Sequence, residues 1–391
     1  MGQSIKGLAQ ESELIQLLCD MVRIESINPL FGKGGTGEKD MVEYICRYFD
    51  RYQIPYTLQE ALPGRFNVLA HLKGAGKGAL CLEAHTDTVT ADEMEIDPFD
   101  PVIRDGRLYG RGSVDDKGSV AAMMYAMRLL KEHHIATESD IYFAAAAEEE
   151  FNYRGVVRLL QENIHFDAAV VGEGTSMHIC RACKGNVRFK ILTKGLAGHS
   201  SRPWEGRNAI VAMANVICEL EKKLFPMYEQ RKHPLLGSPT FNISLIQGGK
   251  LINIVPDCCE IQVDRRVLPG ETFESVRGEV LDCLSKLLEA HPEYELEIQE
   301  PFVTDFAMEV AEDSAIVQTA AKACDTVLGG HTIEGGYFSC DASKFARAGI
   351  PAIVMGPGNI IQAHTNDEYI EIADLAKAAE VFTQICVDFK P

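Results

Sequence analysis

Apolar side chains return every three or four residues over 11–25, at Leu14, Leu17, Leu18 and Met21, and again over 38–53, at Met41, Ile45 and Phe49. That spacing predicts two amphipathic helices ahead of any strand. The pattern then shortens to brief apolar runs bounded by Gly and Pro, predicted as strands over 66–72 and 79–84, the second breaking abruptly into His85-Thr86-Asp87. A helix is predicted from Gly118 to about Lys131, then a strand over 140–146 that ends in Glu148-Glu149-Glu150. A helix follows from Arg154, and a strand over 168–171 ends in Gly172-Glu173. Three strands that each stop at an acid or an imidazole predict a sheet with a polar rim at its carboxyl edge, where open α/β sheets take ligands.

Past residue 184 the grammar changes. Strands are predicted over 187–193, 241–246, 259–267 and 294–298, with helices over 208–224 and 271–289, a strand-helix-strand-strand-helix-strand order. The first grammar returns with a helix over 314–328, a strand over 352–355 and a final helix over 373–386. The expected fold class is therefore α/β: a larger domain made of residues 1–183 and 300–391, interrupted by a smaller α+β, ferredoxin-like domain over 184–299. Hinges are expected near Lys184 and Pro301, where the pattern switches. The glycine-rich stretch 32–37 has no following Gly-Lys-Ser/Thr and is read as a surface turn into the helix at Glu38.

Composition narrows the partners. The chain has 391 residues with 57 Asp and Glu against 38 Lys and Arg, a formal charge of −19. That excess repels phosphate backbones and anionic membranes, so neither nucleic acid nor a membrane is expected as a partner. Twelve scattered cysteines lack the spacing of a disulfide scaffold and suit a reducing compartment. The N-terminal stretch is polar, and no run approaches the ~18 apolar residues of a membrane span, so a cytoplasmic location is expected.

Five polar clusters carry the candidate chemistry. His85 and Asp87 share one side of an extended segment, as a metal-bound imidazole and its orienting acid would, or as a surface pair would. Asp115 and Asp116 lie in the Gly-punctuated turn Tyr109 to Gly118 just before a helix, where acids also cap helices and complement the dipole. Glu148, Glu149 and Glu150 crowd a strand end, which is costly without cations or solvent. Glu173 ends the next strand, and His364 opens the acidic segment His364 to Glu368. Each has a plainer reading when taken alone.

In their order along the chain, however, LEAHTDTV, LYGRGSVDDKG, AEEEFNYRG, VVGEG, GLAGHSSRPWEGRNAI, GGKLINIVPDCCEIQVDRRVLPGE and GPGNIIQAHTNDEYI resemble the M20 metallopeptidases and amidohydrolases. That group includes acetylornithine deacetylase, succinyl-diaminopimelate desuccinylase, aminoacylase and carboxypeptidase G. The resemblance implies a mixed-sheet, zinc-exopeptidase-like catalytic domain holding two Zn²⁺, with Co²⁺ or Mn²⁺ as alternatives. It implies His85 and Glu173 as ligands of one metal, Glu150 and His364 as ligands of the other, and Asp115 as the bridge between them. Glu149 is implied as general base, Asp87 as the acid orienting His85, and a cis bond between Asp115 and Asp116. These donors suit borderline divalent ions, which activate water while an outlying carboxylate moves its proton.

The resemblance also assigns parts of the insert. His199 is implied to stabilise the oxyanion across a homodimer formed through this domain, with Asn253 beside it, and Arg266 to bind a substrate α-carboxylate. The plainer alternatives are a capping or core histidine and a strand salt bridge from Arg266 to Asp264. The segment from Gly335 to Asp341 is expected to line the substrate cleft, with Cys340 as a small hydrophobe. Cys180-x-x-Cys183 lacks a second pair, and His133-His134 follows a helix end, so both are read as structural. The expected substrates are N-acyl amino acids, cleaved by a deacetylase or desuccinylase; Glu173 in place of Asp resembles the deacylase and carboxypeptidase side of the family. The alternatives are a dipeptidase or carboxypeptidase acting on small peptides, and an inactive dimeric binding homologue.

Overall fold

The computed structural model describes residues 5–31 and 35–391. The predicted glycine-rich turn lies partly outside these residues, as do the first four of the chain. The chain forms two compact units: one of residues 1–181, 310–334 and 340–391, and one of residues 182–309 and 335–339.

In the first unit the spine is four parallel strands in the order Asp140–Ala146, Ala79–His85, Ala168–Val171 and Ala352–Val354. Every residue of Ala79–His85 and Ala168–Val171 is buried, as expected of strands covered on both faces. Arg65–Leu72 adds antiparallel to Asp140–Ala146, and Tyr56–Leu62 adds antiparallel beyond it, so the sheet is mixed. The register places His85 opposite Ala146, and Glu83 opposite Val171. The parallel strands consequently end together, and the segments that follow them share one edge of the sheet.

The helix Lys117–Glu132 is buried almost throughout, rich in alanine and methionine, and packs with Ile372–Asp388 and Glu11–Val22. The helix Lys39–Arg51 buries Met41, Val42, Ile45 and Phe49 toward Arg65–Leu72. A small three-stranded sheet pairs Tyr369–Glu371 with Arg107–Tyr109, and the latter with Val102–Arg104. None of these three short strands was predicted from the sequence.

The second unit is an antiparallel sheet in the order Thr240–Gly248, Cys258–Val267, Gly185–Lys194, Glu295–Ile298. The helices Ala209–Gln230 and Phe273–Ala290 pack together over it, around Phe189, Ile191, Val216, Leu220, Ile261 and Val280. Thr272 and Ser275 form a capping box that starts the second helix. The unit runs beyond the expected residue 299 because Val303–Asp305 continues the pairing along Gly185–Lys194.

Among the described residues, no helix is long and apolar enough to cross a membrane. Among the described residues no disulfide joins the cysteines; Cys180 and Cys183 are buried parts of the strand Ile179–Cys183.

Candidate active site

The edge where the parallel strands end gathers the acids and imidazoles of the first unit. His85 closes its strand, and its Nδ1 donates to the backbone carbonyl of Asp87 at 3.0 Å. This leaves Nε2 facing Asp115 Oδ1 at 2.9 Å. Asp115 is presented by the turn before Lys117–Glu132, and the bond from Asp115 to Asp116 is cis. Asp116 makes no side-chain cap to that helix; its Oδ2 instead accepts from the backbone N–H of His85 at 3.3 Å.

Glu148 adopts a left-handed conformation, φ 63°, which turns the chain from the strand Asp140–Ala146 into the short helix Glu149–Asn152. The carboxylate of Asp87 secures that turn, accepting from the backbone N–H groups of Glu149 at 3.0 Å and Glu150 at 3.3 Å. Asn28 donates to the same carboxylate at 2.8 Å. Asp87 therefore holds His85 chiefly through its carbonyl, since its carboxylate stands 3.5 Å from Nδ1 and serves the glutamate turn. His364, with φ 61°, brings Nε2 to 3.1 Å from Asp115 Oδ2 and 3.2 Å from Glu150 Oε1.

Two three-residue groups result: His85, Asp115 and Glu173, and Asp115, Glu150 and His364. Within each group the ligand-type atoms lie within 4.8 Å of one another, and Asp115 belongs to both. Imidazole nitrogen and carboxylate oxygen, two of one and three of the other, are donors suited to a pair of divalent cations sharing a carboxylate. Glu149, also buried, lies outside both groups.

The electrostatics fit the same description. Burial raises the Glu149 and Glu173 carboxyls well above their usual range, and neighbouring acids, Asp341 and Asp115 respectively, push further. Burial, reinforced by the charge of Asp115, lifts Glu150 to about 7. Burial would depress the His85 imidazole, yet its hydrogen bonds to Asp115 and Asp87 outweigh that and raise it well above normal. Hydrogen bonds to Asp115 and Glu150 take His364 to about 11. Asp115 itself, despite burial, is held far below the carboxylate range by His364 and His85. Protons on carboxyls and imidazoles thus balance the negative charge here, the task divalent cations perform in a metal centre.

The remaining expected residues belong to the second unit. His199 is exposed and pairs with Ile254, while the backbone N–H of Ser200 donates to the Asn253 carbonyl at 3.0 Å. His199 Nδ1 accepts from the Ser201 backbone N–H at 3.1 Å, which assigns a neutral ring's proton to Nε2. Arg266 Nε donates to Asp264 Oδ1 at 3.0 Å, so the strand salt bridge is present. Of the segment expected to line a cleft, residues 335–339 fall in the second unit, whereas Cys340 and Asp341 are buried in the first.

Three contributors were not singled out from the sequence. Asn28 holds Asp87. Glu38, fully buried, takes both Arg65 and the backbone N–H of Glu148, the latter at 3.1 Å. Glu83, two residues before His85 and so on the same strand face, is buried against Asp341; burial and Asp341 both raise its carboxyl well above normal. An acid inside an otherwise apolar strand was the available signal for Glu83.

A model of Peptidase family M20/M25/M40 matches residues 81–388. An acetylornithine deacetylase of Pectobacterium atrosepticum is 33% identical over 341 residues, covering 86% of this chain and 85% of the relative. Among solved structures, an aminopeptidase PepT of Bacillus cereus matches with a TM-score of 0.79 at 22% identity, over 98% of this chain and 99% of that one. A dinuclear metal-binding M20 peptidase of Bacillus subtilis matches with a TM-score of 0.74 at 17% identity, over 96% and 97%.

Proposed function

Because the chain belongs to Peptidase family M20/M25/M40 and is a hydrolase of amide or peptide bonds, we propose that it is a two-zinc deacylase. Its reaction would convert an N-acyl amino acid and water into a carboxylate and a free amino acid. The observation that carries this reading is Asp115 standing in both ligand groups, since a shared carboxylate is what a pair of closely spaced ions requires. Identity to an acetylornithine deacetylase at 33% favours an acyl group, acetyl or succinyl, over a peptide.

When bound, the ions would acidify a water and polarise the substrate carbonyl. The chain's own residues do the rest. His85 and Glu173 would hold one ion, Glu150 and His364 the other, and Asp87 keeps His85 and the glutamate turn in place. Glu149 takes the proton of the attacking water and delivers it to the departing amine nitrogen. His199 offers Nε2–H to the developing oxyanion, assisted by Asn253. The terminal groups of the Arg266 guanidinium bind the α-carboxylate while Nε keeps Asp264.

A homodimer through the second unit is part of the proposal, supported by the exposed Leu245 and Ile246 on the strand Thr240–Gly248 and by the exposed Leu251 and Ile252 that follow. Cysteines scattered without the spacing of a disulfide scaffold support a reducing, cytoplasmic setting. The acidic balance argues against nucleic-acid or membrane partners.

The test is release of free amine by metal-stripped, zinc-reloaded protein from N-acetyl and N-succinyl amino acids beside a dipeptide panel. Zinc-dependent cleavage confined to the acylated amino acids is expected. Preferential cleavage of dipeptides would replace the deacylase with a dipeptidase.

A further inference from the structure

We propose that Glu368 is the positioning residue that sets the bridging aspartate against the second imidazole, joining the two halves of the metal centre through one buried carboxylate. The proposal rests on the two-metal reading above and concerns a residue that neither holds a metal nor touches substrate in that reading.

Glu368 lies four residues after His364 and immediately before the strand Tyr369–Glu371. That strand pairs antiparallel with Arg107–Tyr109, and the backbone N–H of Gly110 donates to the carbonyl of Glu368 at 3.1 Å. The pairing brings the side chain of Glu368, fully buried, against the turn of residues 110–116. Its two oxygens are shared evenly. Oε2 accepts from Arg111 Nη1 at 2.7 Å and from the backbone N–H of Gly112 at 3.0 Å. Oε1 accepts from the backbone N–H groups of Val114 at 3.0 Å and Asp115 at 3.2 Å.

Those amides belong to neither a helix ladder nor a strand ladder, and buried amides without acceptors are costly. Glu368 is the acceptor they converge on, a carboxylate seated in a concave set of backbone donors. The turn has little freedom to close on itself instead. Gly112 is at φ 80°, and a Cβ there would lie 2.8 Å from Thr88 Cγ2, so the backbone is already pressed against its neighbours. With its amide fixed, Asp115 can aim one oxygen at His85 and the other at His364. His364 is carried on the same segment as Glu368. One stretch of five residues therefore supplies an imidazole to the second ligand group and locates the carboxylate common to both.

A purely structural ion pair between Glu368 and Arg111 would stabilise the fold without tuning metal affinity, and the two roles separate experimentally. Glu368→Gln keeps the shape but has one acceptor oxygen, and its NH₂ faces donors. Wild type and variant would be titrated with Co²⁺, followed by calorimetry and by the visible absorption of the bound ion, with thermal melts of both metal-free proteins. The expected result is two ions in the wild type, and in Glu368→Gln a ~10–100-fold weaker affinity for at least one of them with an altered spectrum. In turnover, kcat should fall more than KM changes.

Overlapping titrations with a lowered melting temperature would make Glu368 structural only and overturn the proposal. Should Glu368→Gln fail to fold, Glu368→Asp retains the charge but withdraws it from the turn and is titrated in the same way. Weakened binding is again expected, and wild-type binding would overturn the proposal. A wild type that takes up no Co²⁺ would instead remove the two-metal reading, and this inference with it.

Discussion

Glu149 differs from the acids around it in having a backbone, but not a carboxylate, committed to the centre. Its N–H is held by Asp87, while its side chain stays outside both ligand groups. Replacing it should therefore leave metal and fold intact. Glu149→Gln is expected to keep two zinc ions per chain by elemental analysis and to lose kcat by ~10²–10⁴-fold, the usual contribution of a general base. Wild-type turnover in that variant would remove Glu149 from the proton path. Residues such as His85, Asp115 and Glu173 were legible because each interrupts a buried strand or a glycine turn with a donor group. Their supports were not. Asn28 reaches Asp87 across 59 positions, and Glu368 reaches Asp115 across 253, and no local spacing rule connects positions so far apart.

Elements were legible in proportion to how fully they are buried or how cleanly they alternate. Asp140–Ala146 and Ala168–Val171 stand where their apolar runs predicted, and Cys258–Val267 alternates buried and partly exposed side chains. Tyr56–Leu62 was missed because it is an edge strand, exposed or half-buried along its length, whose one buried residue is Gln59. Ile179–Cys183 was not predicted because it is short and Arg181 interrupts its apolar run. Edge position has a second consequence in the other unit. Among the described residues, Thr240–Gly248 is paired on one side only, and Leu245 and Ile246 are 59% and 61% exposed. An apolar edge of this kind invites strand or side-chain pairing with a second copy. Ile246→Lys should convert a dimer to a monomer in sedimentation velocity without lowering the melting temperature of the subunit. Turnover should fall with the dimer, because His199 is proposed to act on the partner's site. An unchanged sedimentation coefficient would place the interface elsewhere.

At the scale of the whole molecule, the buried charge of the centre links metal binding, folding and pH. Burial pushes Glu150 and Asp116 up to about 7 and Asp341 to about 6, so the folded, metal-free chain keeps protons that an unfolded chain releases near pH 4. Where the folded state binds more protons, stability falls as pH rises, here across roughly pH 4 to 7. His364, raised to about 11 by Asp115 and Glu150, acts in the same direction: its contribution is complete below about 6.5 and is lost as pH climbs toward 11. Asp115 is depressed, so its contribution is already complete above its usual range and disappears only in strong acid. Between pH 5 and 8 the metal-free protein should consequently melt at steadily lower temperature. Zinc bound as proposed would replace protons with fixed positive charge, and a site held at a thousandfold excess over Kd adds about 4 kcal/mol. The formal charge of −19 also repels itself more as pH rises, but it does so in both forms. The diagnostic quantity is therefore the gap between zinc-loaded and metal-free melting temperatures, which should widen from pH 5 to pH 8. Parallel curves across that range would mean that the protons on these carboxyls and imidazoles are not what the metals displace.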